Sequence, residues 1–545
     1  MAVRRLDAMS IAGKELPVER KVEIVVVGAG PAGCEAAIAA ARAGAQVLLI
    51  DENPVAGTMM ALDVPLHYGQ RMINAVHNKA RMLEQLVETN RDLAEAFELG
   101  VEVALGVDVW GAFVNGESVR SLPSPVLGLA DETRSWLVGF DRLIVTAGAR
   151  DLAIAFPGWE KPGVMGAQAA HALLARYAAF GGRRMVILGS GALALATALL
   201  ARDRAVDVAA IIEVAAEPQA PAALIAQVAG QGVPIVTGHA IKEANGGVDG
   251  IQSVTVIGLD GDLAALPGSE RVIECDTVCL AIGVVPNVEL LAVLGCGLAA
   301  RGEYGGYIPV LDGEQRTSLP TVFAAGDCTG TFDGKLLDEA IARQEGRIAG
   351  RAAAASLGKS AASAATVTAT AVAAPAQDAQ LYQAAWLRAL INVGGWDVHA
   401  CQCEEVSRRE IVDVQPPRYL DWGSSQMRAR GLDGLIADGP PNQDQVKRLT
   451  RAGMGLCQGR RCREQVALLL AMAAKCKVSE IPLASYRPPL RPLPLAVLRP
   501  VDEPAAMRRD WDVWFGISTQ WTPFWEIDRA AKDAGGEDPA ERSGK

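Results

Sequence analysis

The sequence predicts an α/β protein: two Rossmann-like βαβ units in one chain, then a small, mostly helical segment that gathers four cysteines. Three observations carry this expectation. From Lys21 the chain reads "KVEIVVVGAGPAGCEAAIAAARAGAQVLLIDE", an apolar strand, a glycine turn, an Ala-rich helix and a second apolar strand ending in acid. From Arg184 the same order returns in "RMVILGSGALALATALLARDRAVDVAAIIEV". Late in the chain, "HACQCEE" and "GMGLCQGRRC" set Cys401, Cys403, Cys457 and Cys462 in two close pairs beside arginines.

At 545 residues the chain is too long for one core, and roughly three to four domains are expected. Ten cysteines, and an opening "MAVRRLDAMSIAGKELPVERK" without an apolar core segment, argue for reduced thiols in the cytoplasm rather than a secreted disulfide scaffold. Charge interrupts every Ala/Leu-rich stretch before the roughly twenty apolar residues a membrane span needs, so the expectation is a cytoplasmic protein, at most peripheral at the inner membrane. A net charge of −11 argues against nucleic acid, whose phosphates require clustered Lys and Arg.

In the first unit Gly28, Gly30 and Gly33 form G-x-G-x-x-G between strand and helix, with Asp51 at the tip of the next strand. Glycines let the backbone approach a pyrophosphate, the helix N-terminus favours its charge, and the acid suits a ribose. Further on, "TSLPTVFAAGDCTG" runs a strand into Gly326-Asp327, and "LIVTAGAR" carries Gly148. Together these resemble two-dinucleotide-binding flavoproteins of the glutathione reductase type. The resemblance implies FAD at the first site, with Asp327 at its ribityl chain. The second unit offers Gly189, Gly191 and Ala194, with Glu213 at its strand tip and no arginine beside it, which suits NAD(H) or another adenine nucleotide. No Cys-x-x-Cys stands near the flavin motifs. Cys34 reads as a small apolar residue, so disulfide reduction is not expected.

Cys401-x-Cys403 and Cys457-x4-Cys462 can hold a [2Fe-2S] cluster or structural zinc. Zinc more often uses Cys-x2-Cys knuckles. Arg451, Arg460 and Arg461, with a helix start after Cys462, would stabilise the added negative charge of a reduced cluster, and Gly453, Gly455 and Gly459 leave amides free to approach sulfur. Cys275, Cys279, Cys296, Cys328 and Cys476 read as core thiols.

The expected boundaries are an N-terminal segment 1–20, FAD-binding domain 21–152 and 273–352, second Rossmann domain 153–272, Ala-rich linker 353–384, [2Fe-2S] domain 385–482, and a Pro-rich and aromatic tail 483–545. "CQCEEVSRREI" and "LTRAGMGLCQGRRC" resemble a bacterioferritin-associated-ferredoxin-like domain. "FPGWEKPGVMGAQAAHALL" and "YRPPLRPLPLAVL" look like stretches of the larger (alpha) subunit of octopine and nopaline oxidases, D-hydroxyproline dehydrogenase and hydrogen cyanide synthase. That resemblance implies an FAD and [2Fe-2S] electron-transfer subunit of a heteromeric amine or amino-acid dehydrogenase. A D-amino-acid-dehydrogenase-like flavoprotein partner, with or without a further small subunit, would oxidise the C–N bond, and a downstream acceptor would take the electrons. No catalytic residue is assigned to this chain, whose five histidines are scattered and suggest no hydrolytic site. Two departures stand out: "NPVAGTMMALDVPLHYGQRM" where relatives carry Gly-Gly-Gln, and a tail dense in aromatics, Trp511, Trp514, Phe515, Trp521, Phe524 and Trp525. The alternatives are a self-contained NADH:acceptor oxidoreductase and a structural subunit with inert cofactors.

Overall fold

The computed structural model describes residues 18–53, 90–115, 124–359, 379–420 and 430–498, with isolated positions between them. The stretch after Asn53, most of the Ala-rich segment and the aromatic tail lie outside the described residues. Pro17–Pro494 form one compact unit; the turn Leu495–Leu498 belongs to a second.

The first sheet contains β1 (Val18–Val27), β2 (Val47–Asp51), β3 (Glu102–Leu105), β4 (Asp108–Phe113), β5 (Val126–Ala130) and β6 (Ser135–Val145) in the order β3-β2-β1-β6-β5-β4. β1 pairs in parallel with β2 and β6, while β4 and β5 are antiparallel. Far along the chain, Val322–Ala324 returns to pair in parallel with β6, Phe323 opposite Ile144. Both faces of this sheet are buried, which explains why β1 reads as a continuous apolar run rather than alternating. Ile24, Val26, Ile144 and Phe323 face helix α1 (Pro31–Arg42) and the helix Glu339–Ala355; Val25, Leu48, Leu143 and Val145 face the other way. A Cβ at Gly346 or Gly350 would overlap the carbonyl of Ala32 or Ala36. The helix Glu339–Ala355 therefore lies backbone to backbone on α1, which brings the Gly326 turn beside the first glycine turn.

The second Rossmann-like fold is built on an all-parallel sheet in which Arg184–Leu188 is flanked by Asp207–Ile212 and Thr277–Leu280. An antiparallel sheet of His239–Gly247, Gly250–Gly258 and Arg271–Glu274 lies beyond it. The described part of the cysteine segment is a short hairpin, His399–Cys401 with Val406–Ser407, and the helices Arg408–Val412, Leu432–Asp438, Gln443–Thr450 and Arg463–Ala474.

The helix Ala379–Gly394 starts inside the stretch expected to be linker. Its Trp386, Leu387 and Leu390 share a core with Val186, Leu188 and Ile212 of the second sheet and with Leu468 and Leu469 of the helix Arg463–Ala474. Arg408 fastens this junction. Fully buried and without a carboxylate, it donates to Leu390 O (3.2 Å), Gly395 O (2.8 Å) and Ala155 O. Burial pushes its guanidinium down to about 10.

Candidate cofactor sites

At the first turn, Gly28 has φ +107°, and a side chain there would strike Thr146. A Cβ at Gly33 would overlap the Gly28 carbonyl, so this glycine is required for helix-to-strand packing. Gly30 differs: a Cβ built there meets nothing within 4 Å. The open space lies at the N-terminus of α1, where amides have no intrahelical partner and an anion is favoured. Asp51, buried at the end of β2, accepts from Ala29 N and, at 2.7 Å, from Asn53 N. A cleft beside it is lined by Gly28, Asp51, Val107, Ala147, Asn287 and Arg491, among others. Gly148 (φ +67°) accepts from Asn287 N at 3.0 Å.

The Gly326-Asp327 turn is set by a buried ion pair invisible in the motif. Lys335 Nζ donates to Gly326 O (2.8 Å), Thr329 Oγ1 (3.0 Å) and Glu345 (2.8 Å), and Glu345 Oε2 accepts from Gly326 N (2.8 Å). A Cβ at Gly326 would press on Ala32 Cβ at 2.8 Å, so Asp327 starts its turn against the first turn of α1. Burial pushes the Asp327 carboxyl up, with Lys335 opposing.

The second turn repeats the backbone of the first. Gly189 has φ +100° against Ala281 O, a Cβ at Gly191 would meet open space, and Ala194 is fully buried. Glu213, however, is engaged from within. Its Oε2 accepts from Ser190 N (3.0 Å), Ser190 Oγ (2.6 Å) and the phenol of Tyr382 (2.7 Å), and its Oε1 from Ala215 N (2.9 Å). Tyr382 belongs to the helix Ala379–Gly394, and its neighbour Gln383 lies against Gly283. The acid expected at a ribose is wholly buried under the chain's own helix, and burial raises its pKa.

The four thiols converge as two pairs. Cys401 adjoins Cys462 and Cys403 adjoins Cys457, and Cys457 also lies close enough to Cys401 and Cys462 to interact with them electrostatically. Gly453 N donates to Cys401 Sγ at 3.4 Å. The glycines explain the approach: Gly453 and Gly459 both have positive φ, and a Cβ at Gly455 would overlap Cys403. Cys457 is held below the usual thiol range by its neighbour Cys403 and by Arg461 and Arg460, both buried. Arg461 also donates to Gln402 and stacks on Trp159, 4.9 Å from its ring centre. Arg451 is turned elsewhere, to Glu404 Oε2 at 2.6 Å. Cys462 caps the helix Arg463–Ala474, as expected. Among the described residues, no group of three or more His, Cys, Asp or Glu stands, as placed, in an arrangement that would hold a metal ion.

Sequence patterns gave no sign of Arg150, Tyr382, Gln465 and Arg491, each of which reaches across more than a hundred residues, or of the Lys335–Glu345 pair, which is nearer in sequence but carries no motif. Gln465, buried, accepts from Ala155 N (2.7 Å) and donates to Ala400 O (3.2 Å), beside Cys401. Arg491 pairs with Glu52 at 2.7 Å at the cleft. Cys34 is buried and donates to Ala29 O, as expected for a packed thiol.

Residues 22–365 match the family model described as pyridine nucleotide-disulphide oxidoreductase, and residues 421–500 that of the sarcosine oxidase A3 domain. Similar proteins include the A-type subunit of opine oxidase from Agrobacterium tumefaciens (strain Ach5), 27% identical over 87% of this chain and 91% of that protein. Another is the HcnB subunit of hydrogen cyanide synthase from Pseudomonas protegens, 26% identical over 88% of this chain and 98% of that protein. The group named from the motifs is thus the one the chain resembles along most of its length. The L-proline dehydrogenase of P. horikoshii shares the fold, with a TM-score of 0.56, 19% identity, and coverage of 89% of this chain and 81% of that one. With two Rossmann-type folds joined through one interrupted sheet, and a family match spanning more than half its length, the chain belongs to the pyridine nucleotide-disulphide oxidoreductase family and is an oxidoreductase.

Proposed function

We propose that this chain holds FAD at the first glycine turn and a [2Fe-2S] cluster between its two cysteine pairs. In this reading it is the electron-carrying subunit of a heteromeric dehydrogenase acting on a C–N bond. FAD, when bound, accepts two electrons and can release them singly to an iron-sulfur centre. The residues suit these groups. The space over Gly30 and the amides of α1 would receive the pyrophosphate, Asp51 retains lone pairs for a ribose hydroxyl, and Asp327 would meet the ribityl chain. Cys401, Cys403, Cys457 and Cys462 would hold the cluster, while Arg460 and Arg461 would offset its charge.

The observation that carries this reading is the gathering of four thiols beside the buried Arg460 and Arg461, whose positive charge suits a centre that becomes more negative on reduction. The relatives are named as subunits, which supports a partner chain. We take that partner to be a D-amino-acid-dehydrogenase-like flavoprotein, with a downstream acceptor for the electrons. Against the NADH:acceptor alternative stands Tyr382, which occupies Glu213, the acid that would meet a second ribose. Protein prepared anaerobically should release FAD on heating and contain iron and acid-labile sulfide at about two each per chain. Stoichiometric zinc in their place, or flavin bleached by NADH without a partner, would overturn the proposal.

A further inference from the structure

Arg150 follows the Gly148 turn closely and has 14% of its side chain exposed. Its Nη1 donates to Asn287 Oδ1 at 3.0 Å, and Glu289 Oε1 lies 3.0 Å away as an ion pair without a hydrogen-bonding angle. Its other nitrogens reach a different part of the chain: Nη2 donates to Glu464 Oε1 at 2.6 Å and Nε to Arg460 O at 3.0 Å. Each end is a cofactor site. Asn287 donates to Gly148 O (3.0 Å) and Ala147 O (2.9 Å), and Ala147, Asn287 and Glu289 line the cleft that contains Gly28 and Asp51. Arg460 N donates to Cys457 O at 3.0 Å, and Glu464 lies in the first turn of the helix capped by Cys462. One planar guanidinium thus joins the wall of the nucleotide cleft to the loop that carries two of the thiols, a task suited to its fork of fixed donors.

We propose that Arg150 is the positioning residue that fixes the Cys457–Cys462 loop against the FAD cleft, so that the two cofactor sites form one rigid unit. This rests on the FAD and [2Fe-2S] reading above. Methionine at this position would leave Glu289 and Glu464 without their shared cation and release the loop. Lysine would keep the charge but could not span all four acceptors.

The test compares Arg150→Met, Arg150→Lys and the native protein, all carrying both cofactors. Iron and FAD contents should stay at native values. The midpoint potential of the cluster in Arg150→Met should fall by at least tenfold in its one-electron reduction equilibrium, about 59 mV, and its electron paramagnetic resonance g-values should shift. Arg150→Lys should recover most of the potential but not the g-values. Native potential and g-values in both variants, with both cofactors bound, would reduce Arg150 to a fold-stabilising residue and sink the proposal. Native protein lacking iron or flavin would defeat the cofactor reading instead. Should Arg150→Met lose its iron, Asn287→Ala cuts only the cleft-side arm; it should shift the g-values with the charge in place, and unchanged g-values there would equally overturn the inference.

Discussion

Gly30 and Gly33, three residues apart, should respond differently to one added methyl group. Gly30→Ala fits open space at φ −73° and should cost at most about 1 kcal/mol, the usual range for an N-cap change, while sharply weakening FAD retention on gel filtration. Gly33→Ala drives a carbon into the Gly28 carbonyl and should lower unfolding free energy by about 1–3 kcal/mol or more in denaturant titration, with or without flavin. Asp151 shows the same separation of roles for charge. Buried, with Gln168 N and Ala169 N donating to it, its carboxyl is raised by burial to about 7. The folded state therefore keeps a proton between the ordinary carboxylate value and about pH 7 that the unfolded chain has released, and stability falls as pH rises through that window. The melting temperature of Asp151→Asn relative to the native protein should accordingly rise from pH 5 to pH 8; a constant difference would contradict this. Glycines and cysteines were legible in the sequence because their motifs are marked by spacings of a few residues, although the thiols themselves meet across more than fifty. The role of Arg451 was not: its attraction to Glu404 depends on a fold that brings position 404 near 451.

At the scale of elements, the helix Ala379–Gly394 is the least legible part of the chain. Its Ala-rich approach has the composition of a linker, and it is the tertiary core around Trp386 and Leu390 that makes this segment a packed helix. The helix brings Tyr382 onto Glu213, a hydrogen bond to an ionisable partner of the kind that contributes about 1.5–3 kcal/mol. Tyr382→Phe should lower stability by about that amount, and fluorescence titration of the native protein with NADH should detect no binding. Tight NADH binding with the tyrosine in place would show that the helix moves aside. In the cysteine segment, Cys457→Ser should abolish the visible cluster absorption and leave the flavin spectrum intact, since no cysteine lines the first cleft.

For the whole molecule, the interrupted first domain was readable because the Gly326-Asp327 turn recurs at a distance suited to an inserted domain, and the strand Val322–Ala324 does rejoin β6. Which surfaces meet a partner was not readable, because no motif encodes a pocket shared between chains. Among the described residues no helix is long and apolar enough to cross a membrane. If the substrate pocket belongs to a second flavoprotein, amine-dependent dye reduction should appear only when both chains are present; turnover by this chain alone, at the rate of the complex, would place the active site here. The cleft at the first glycine turn is walled by Gly28 at one end of the chain and by Leu490 and Arg491 at the other, with Arg491 joined to Glu52 across 439 residues. At roughly 5–20 residues per second, a ribosome needs about 20–90 s to travel between them. The cleft gains this wall only after Leu490 and Arg491 have been made, so if it holds the proposed flavin, ribosome-bound chains halted before Leu490 should emerge without it.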